Sequence, residues 1–447
     1  MKHEKWQGMG TFTAIWAGQL VSLLGTGMTQ FALTIWAWQV TGKATALALV
    51  GVCGFAPVVL LSPLAGAIVD RANRKLLMIL SDLAAGLGTL TILLLYLFGA
   101  LQIWHLYIVV ACIGAFGAFQ FPAYSATISV LVDKSQYARA SGMMSLAGSI
   151  SGVFAPIAAG ILLGPIGIAG IMGVDLATMG TAIVILLCSR IPQPASSPEG
   201  EAARGGLFRE AAFGFRYILA RRGLLGLLCM CFLFNVTTAF GFTVLAPTIL
   251  ARTGNNSLVL GTVQSAAGIG GVGGGVLLSL WGGPKKRVHG VLLGCALGGI
   301  IGLVGLGVGR TAAFWAGTAF TMSLIFPTVN ASSQSIWQSK VPPDLQGRVF
   351  SVRLMMAQLG TPLAMLLAGP LADRVFEPGM RMGGAMADVF GWLVGTGPGA
   401  GMALMLVFGG VFAAVAALSA YAYRPLRDVE RTLADHDEAA QRAAGTA

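Results

Sequence analysis

Apolar residues run along this chain in twelve stretches separated by short polar breaks: 12–39, 45–68, 76–98, 103–132, 139–163, 166–189, 223–250, 257–281, 288–309, 312–339, 347–371 and 399–423. As α-helix, each is long enough to cross a hydrocarbon layer about 30 Å thick, which takes about 20 residues. Only an intact helix satisfies its own backbone polar groups in that layer. The pattern predicts an all-α membrane protein with twelve transmembrane helices. The first stretch is too long for a signal-peptide h-region and no A-x-A-like site ends it, so it is expected to remain as an anchor.

Composition narrows the class further. Charged residues make up 10% of the chain and hydrophobic ones 56%, against about 25% charged in soluble domains. That excludes a soluble enzyme and a disordered chain. The 63 glycines suit apolar helices that approach closely. Cys53, Cys112, Cys188, Cys229, Cys231 and Cys295 all lie in apolar stretches without a C-x-x-C pair, which argues against a disulfide framework or a zinc site. His3, His105, His289 and His436 are isolated, so neither a metal site nor a catalytic triad is expected.

The net charge of +11 sits in short clusters between the apolar stretches, a pattern of membrane flanks and not of a nucleic-acid-binding stripe. Counting alternate loops, 23 of the 28 Lys and Arg fall on one side; Lys43, Arg252, Arg310, Arg374 and Arg381 fall on the other. The positive-inside rule then predicts both termini in the cytoplasm, which requires an even number of spans.

The longest interruption divides the chain. We expect a six-helix bundle over 1–189, a cytoplasmic linker over 190–222, a second six-helix bundle over 223–424 and a polar tail over 425–447. Within the linker, Leu207, Phe208, Ala211, Phe215, Ile218 and Leu219 share one helical face. That spacing fits an amphipathic helix on the membrane surface, or an ordinary connector. The halves echo each other: FPAYSA and QYARASG in the first correspond to FPTVNA and LQGRVFS in the second. Arg139 and Gly160 are separated by 21 residues, as are Arg348 and Gly369. Parallel six-helix repeats are a transporter signature.

The loop GAIVDRANRK (66–75) carries legible chemistry. Gly66 allows close helix approach, and Asp70 is an acceptor for a facing helix N-terminus. Arg71, Arg74 and Lys75 anchor the loop in the interface, and Asn73 tolerates a left-handed turn. This loop resembles the signature loop of the major facilitator superfamily. IWAGQ and GTGMTQFAL in the first span, TGKATALALV at 41–50 and VPPDLQGRVFS at 341–351 resemble its drug:proton antiporter branch, which contains macrolide efflux and enterobactin export pumps.

The resemblance implies a major facilitator fold and a cytoplasmic gate. In that gate Asp70 docks on the helix beginning near Gln346–Arg348, and Arg74 pairs with Asp133. WGGPKKR (281–287), the second-half counterpart, lacks the Asp, so the latch is asymmetric. Ala155, Pro156 and Gly160 in span 5 resemble a softened antiporter motif. Small residues four apart let helices touch, and Pro bends the helix. The branch's buried span-4 Arg is missing, with Gln120, Pro122 and Tyr124 there instead. GIGGVG (268–273) matches a dinucleotide fingerprint but lies within an apolar span with no preceding strand. The glycines Gly270, Gly271, Gly274 and Gly275 read as a packing face. No P-loop is present, and no cofactor is expected.

Two acids lie well inside spans, Asp82 and Asp175. Asp82 is about 10 Å beyond Lys75 along its helix, within reach of the gate. Asp175 is about 15 Å from the outer edge, near the midplane, where an ionised carboxylate is costly. Both are candidates for proton coupling; for Asp175 the alternative is a protonated side chain hydrogen-bonded to a neighbouring helix. Candidate substrate-lining residues are Gln19, Thr26, Gln30 and Trp36 in span 1, Gln120 and Tyr124 in span 4, Asn235 and Thr238 in span 7, and Asn330 and Gln334 in span 10. The alternative for each is helix-to-helix hydrogen bonding. Together these features predict a monomeric secondary transporter in the cytoplasmic membrane, with no enzyme activity. It exports amphipathic small molecules by alternating access in exchange for protons. The competing expectations are a lipid or lysolipid flippase and a non-transporting sensor or scaffold.

Overall fold

The structure, a computed structural model, describes residues 8–69, 72–132, 137–191, 215–341 and 343–432. Its elements are α1 (Met9–Thr41), α2 (Ala44–Val69), α3 (Arg74–Leu97), α4 (Ile103–Leu131) and α5 (Tyr137–Cys188), then α6 (Arg222–Arg252), α7 (Ser257–Trp281), α8 (Arg287–Val308) and α9 (Ala312–Lys340). α10 (Pro343–Leu371), the short α11 (Ala387–Val394) and α12 (Ala400–Ser419) complete them. Eleven described helices are long and apolar enough to cross a membrane.

The twelfth span lies within α5. Its apolar part covers 47 residues, about 70 Å of helix and twice what a bilayer needs. Gly167, at φ 65, breaks it into two arms; the left-handed backbone there favours glycine. The first arm runs parallel to α1, since Trp16 donates to Met143 O and Ser151 to Leu23 O. The second runs antiparallel, with Gly18 against Ala182 and Gly25 against Asp175. The chain therefore reverses at Gly167, and the count of twelve stands.

Contacts divide the chain into two units. The first is 1–195 with 246–268, and the second is 196–245 with 269–447. Within each, the same helix pairs meet. In the first unit Gly27 of α1 lies on Ala155 of the first α5 arm, Gly114 of α4 on the Gly54 carbonyl of α2, and Gly86 of α3 on Met179 of the second arm. In the second unit Gly360 of α10 meets Val236 of α6, Gly270 and Gly274 of α7 lie on the Phe320 and Leu324 carbonyls of α9, and Gly299 of α8 lies on Gly410 of α12. Spans 1–5, 2–4 and 3–6 of one half thus recur as 7–11, 8–10 and 9–12 of the other, the repeat seen in sequence. Gly270 and Gly274 form the expected packing face. Gly271 and Gly275 have open space beside them.

Outward-facing side chains are apolar: Leu60, Phe121, Leu280 and Trp392 are all more than two-thirds exposed. A soluble monomer does not present such a surface. Local signals set several ends. Asn73 is extended (φ −69) and its side chain accepts from Leu76 N–H, so it caps α3 and does not make the left-handed turn its residue type suggested. Thr311 caps α9 in the same way. The amphipathic stretch of the linker is described only from residue 215, where Ile218 is buried in the core of the second unit. The tail is not wholly solvated: Leu426 and Val429 are buried in that core, and the Glu430 carboxylate accepts from the Arg287 and Val288 N–H groups that open α8.

Candidate functional site

In the first unit, polar side chains converge on two carboxyl groups. Asp82 of α3 is 7% exposed; one of its oxygens accepts from Gln19 of α1 at 2.9 Å and the other from Gln120 of α4 at 2.9 Å. Gln120 also donates to the Gln19 carbonyl at 3.1 Å, closing a three-helix network. Two sequence candidates for lining a cavity therefore hold an acid instead of standing apart from it, and Asp82 is bonded to them at some distance from the loop that precedes α3.

Asp175 of the second α5 arm is fully buried. Thr26 of α1 donates to its Oδ1 at 3.1 Å and Thr89 of α3 to its Oδ2 at 3.1 Å. Gly25 makes room, because a Cβ there would run into the Thr178 hydroxyl and stand 2.9 Å from Asp175 Cα. Thr89 escaped sequence reasoning, yet a signal existed. Gln19 and Thr26 are seven apart on α1, and Asp82 and Thr89 are seven apart on α3. Two turns of helix return to the same face about 10 Å further on, so α1 and α3 carry both sites on one shared stripe. The partners differ in kind: amide N–H groups only donate, which suits a carboxylate, whereas hydroxyls donate or accept and can satisfy either protonation state without moving.

The other first-unit candidates stand apart from these acids. Gln30 is exposed and its backbone carbonyl accepts from the Thr34 hydroxyl. Trp36 is buried, and so is Tyr124, which stacks on Phe12 with ring centroids 6.2 Å apart.

In the second unit a cavity of about 460 Å³ opens between α6, α8, α9 and α10, within the size range of small-molecule sites. Asn235, Asn330 and Gln334 are in its wall; Thr238 is buried but is not part of the lining. The sequence reading missed the rest of the wall, including Phe234, Phe326, Trp337, Arg353 and Gln358. The loop count places Arg353 among the cytoplasmic cations, yet it lies inside the stretch 347–371, and a cation within an apolar run was the available signal. Its guanidinium donates to Gln334 Oε1 at 2.6 Å and Ser333 Oγ at 3.3 Å and lies 5.3 Å from the Trp337 ring. By the repeat, α6, α8 and α9 correspond to α1, α3 and α4, so the cavity and the Asp82 network occupy equivalent helices of the two units.

The profile of the Major Facilitator Superfamily matches residues 15–365. The chain belongs to this superfamily. It is a transporter and not an enzyme. Macrolide efflux protein A of Streptococcus pyogenes is 28% identical over 378 residues, covering 84% of this chain and 92% of that one. The multidrug efflux pump Tap of Mycolicibacterium fortuitum is 26% identical over 381 residues, covering 81% and 88%. Among solved structures, an auto-inhibited POT family peptide transporter superposes with a TM-score of 0.67 at 15% identity, covering 96% and 98%. At that identity the likeness concerns the fold.

Of the gate residues that the superfamily resemblance picks out, Asp70, Arg71 and Asp133 lie outside the described residues, as do the surroundings of Gly66 and the side chains of Arg139 and Arg348. Arg74 opens α3. Lys75 has a role the loop motif did not suggest. Its ammonium donates to the Leu187 and Ser189 carbonyls, each at 2.8 Å, and so closes the C-terminal end of α5. The span-5 motif is a packing surface within the first unit. Pro156 O and Gly160 lie against Gly261 and Ser257 of α7, and Ser265 donates to Val153 O at 2.6 Å.

Proposed function

We propose that the chain is a secondary active exporter of amphipathic small molecules, working by alternating access in exchange for protons. The observation that carries the coupling is Asp175: a fully buried carboxyl group that accepts from the hydroxyls of Thr26 and Thr89, with no cation donating to it among the described residues. Such a group takes up or releases a proton by turning hydroxyl hydrogens, and helices α1, α3 and α5 need not part for it to do so. Asp82, two turns along the same α1–α3 stripe, is the second titratable station. The relatives named for macrolide and multidrug efflux support export and an organic substrate.

In this reading two bundles, 1–189 and 223–424, move about a central site, joined by the 190–222 linker. The protein works as a monomer in the cytoplasmic membrane with both termini and the tail from 425 inside, and Asp70, Arg74, Asp133, Arg139 and Arg348 close the inner face. The second-unit cavity supplies part of the substrate surface through Asn235, Asn330 and Gln334.

The test is transport by purified protein in proteoliposomes with an imposed pH step, across a panel of amphipathic dyes. Uptake that depends on the pH step and collapses with a protonophore supports the reading. Scrambling of a labelled lipid without dye flux assigns the protein to lipid flipping. Absence of any flux, together with a partner recovered through residues 425–447, assigns it to sensing or scaffolding.

A further inference from the structure

We propose that the cavity of the second unit is a receptor for an organic anion: Arg353 takes a carboxylate, sulfonate or phosphate, and the surrounding rings take the apolar body attached to it. The inference deepens the export reading, and rests on it for the cavity's part in transport.

Among the described residues, Arg353 is the single charged one in the cavity wall. Its guanidinium has five N–H donors, and its hydrogen-bond acceptors are the neutral Gln334 and Ser333 oxygens. Two donors are thereby held in place while the positive charge has no counter-ion among the described residues. The described acids of this unit are occupied or distant. Glu377 accepts from the Gly399 and Met402 N–H groups at the start of α12, Glu430 accepts at the start of α8, and Asp428 pairs with Arg427. Asp373 is twenty residues along the chain from Arg353, about 30 Å of helix, and Asp388 is in the first turn of α11.

An uncompensated cation held away from bulk water is costly. A fork already oriented by two neutral partners is the arrangement that receives a planar anion at low ordering cost. A second donor waits in the same wall: Trp337 is fully buried and its indole Nε1 has no partner among the described residues. Around these donors the wall is aromatic, with Phe234 and Phe326 stacked at 6.3 Å. Asn235, Asn330 and Gln358 supply neutral amides. The cavity therefore pairs one fixed positive charge with apolar rings, and an amine-bearing cation would meet the guanidinium without a carboxylate to offset it.

The experiment uses the full chain in phosphatidylcholine nanodiscs and two dyes with one ring system and opposite charge: fluorescein, an anion, and tetramethylrhodamine methyl ester, a cation. Binding is read by fluorescence anisotropy. Wild type is expected to bind fluorescein about tenfold tighter or more, a difference within reach of one charge-assisted contact. Arg353→Gln should lower fluorescein affinity about tenfold and leave the rhodamine affinity unchanged or higher, and Arg353→Lys should recover part of the loss. Equal affinities in wild type, or preference for the cation, overturn the proposal with no need of a variant. Adding phosphatidylglycerol to the nanodiscs separates two sources of the same chemistry. Displacement of fluorescein assigns the anion to a lipid headgroup and no displacement to a free solute; either keeps Arg353 as the anion's partner. Energised export of the rhodamine ester without fluorescein binding sinks this inference and leaves the export reading intact. Fluorescein binding without energised export of any dye does the reverse.

Discussion

Replacing Asp175 by Asn keeps the side chain's shape and removes its exchangeable proton. In the native site Thr26 donates to one carboxyl oxygen and Thr89 to the other, each at 3.1 Å. Asn offers one acceptor and one donor to the same two hydroxyls. Each hydroxyl can play either part, so both contacts survive a rotation of a hydrogen and the stability change should stay within about 1 kcal/mol. Coupling responds differently. One proton exchanged per substrate across one pH unit is worth about 1.4 kcal/mol, which supports about a tenfold concentration ratio. In proteoliposomes holding a one-unit pH step, wild type should approach that ratio, and Asp175→Asn should equilibrate substrate near a ratio of one while binding it with affinity changed by less than about twofold. A mutant that concentrates substrate as well as wild type would refute the assignment. So would a mutant that fails only because it no longer folds, since the hydroxyl cage is argued to accept Asn.

Asp82→Asn should behave otherwise: both of its oxygens accept amide N–H groups, so the new NH₂ faces a donor and the network must flip or break, at about 1–3 kcal/mol; a thermal midpoint no lower than that of Asp175→Asn would count against this. Gly25→Val should separate α1 from the second arm of α5, because even one added carbon meets Thr178 and the Asp175 backbone. The overpacking cost is about 1–3 kcal/mol, and an unchanged melting curve would contradict the close contact. Glu430→Ala removes a carboxylate from two N–H groups at the start of α8 and should cost about 1 kcal/mol. Faster hydrogen exchange at Val288 is the direct readout, and exchange at the wild-type rate would show the tail contact to be idle.

Much of the fold was readable because a bilayer imposes one rule on every span. A buried backbone in hydrocarbon must be helical, so apolar length alone located the spans and glycine content announced their close packing. The repeat was visible as Arg139–Gly160 against Arg348–Gly369, and the equivalent helix pairs of the two units bear it out. The join at Gly167 was legible only in part. A two-residue break between spans 5 and 6 was expected, but two helices reversed directly at a single positive-φ glycine depend on a backbone angle that composition does not carry.

The sites divided along another line. Asp82 and Asp175 stood out through the rarity of acids in apolar stretches, a property of each residue taken alone. Which neighbours they have did not follow, because Gln19, Gln120, Thr26 and Thr89 sit on three different helices, and hydrogen bonding depends on rotation about each axis to within a fraction of a turn. Lys75 and Arg353 make the same point for cations. In sequence both were topology signals; in the fold one closes the end of α5 and the other stands in the wall of a cavity. The amino-acid order by itself determined the spans, their number and the superfamily, since these rest on free energies summed over twenty residues at a time. Only the packed helices decided which carboxyl meets hydroxyls, which meets amides and which cation enters a cavity wall, since those depend on contacts of about 3 Å between residues far apart in the chain.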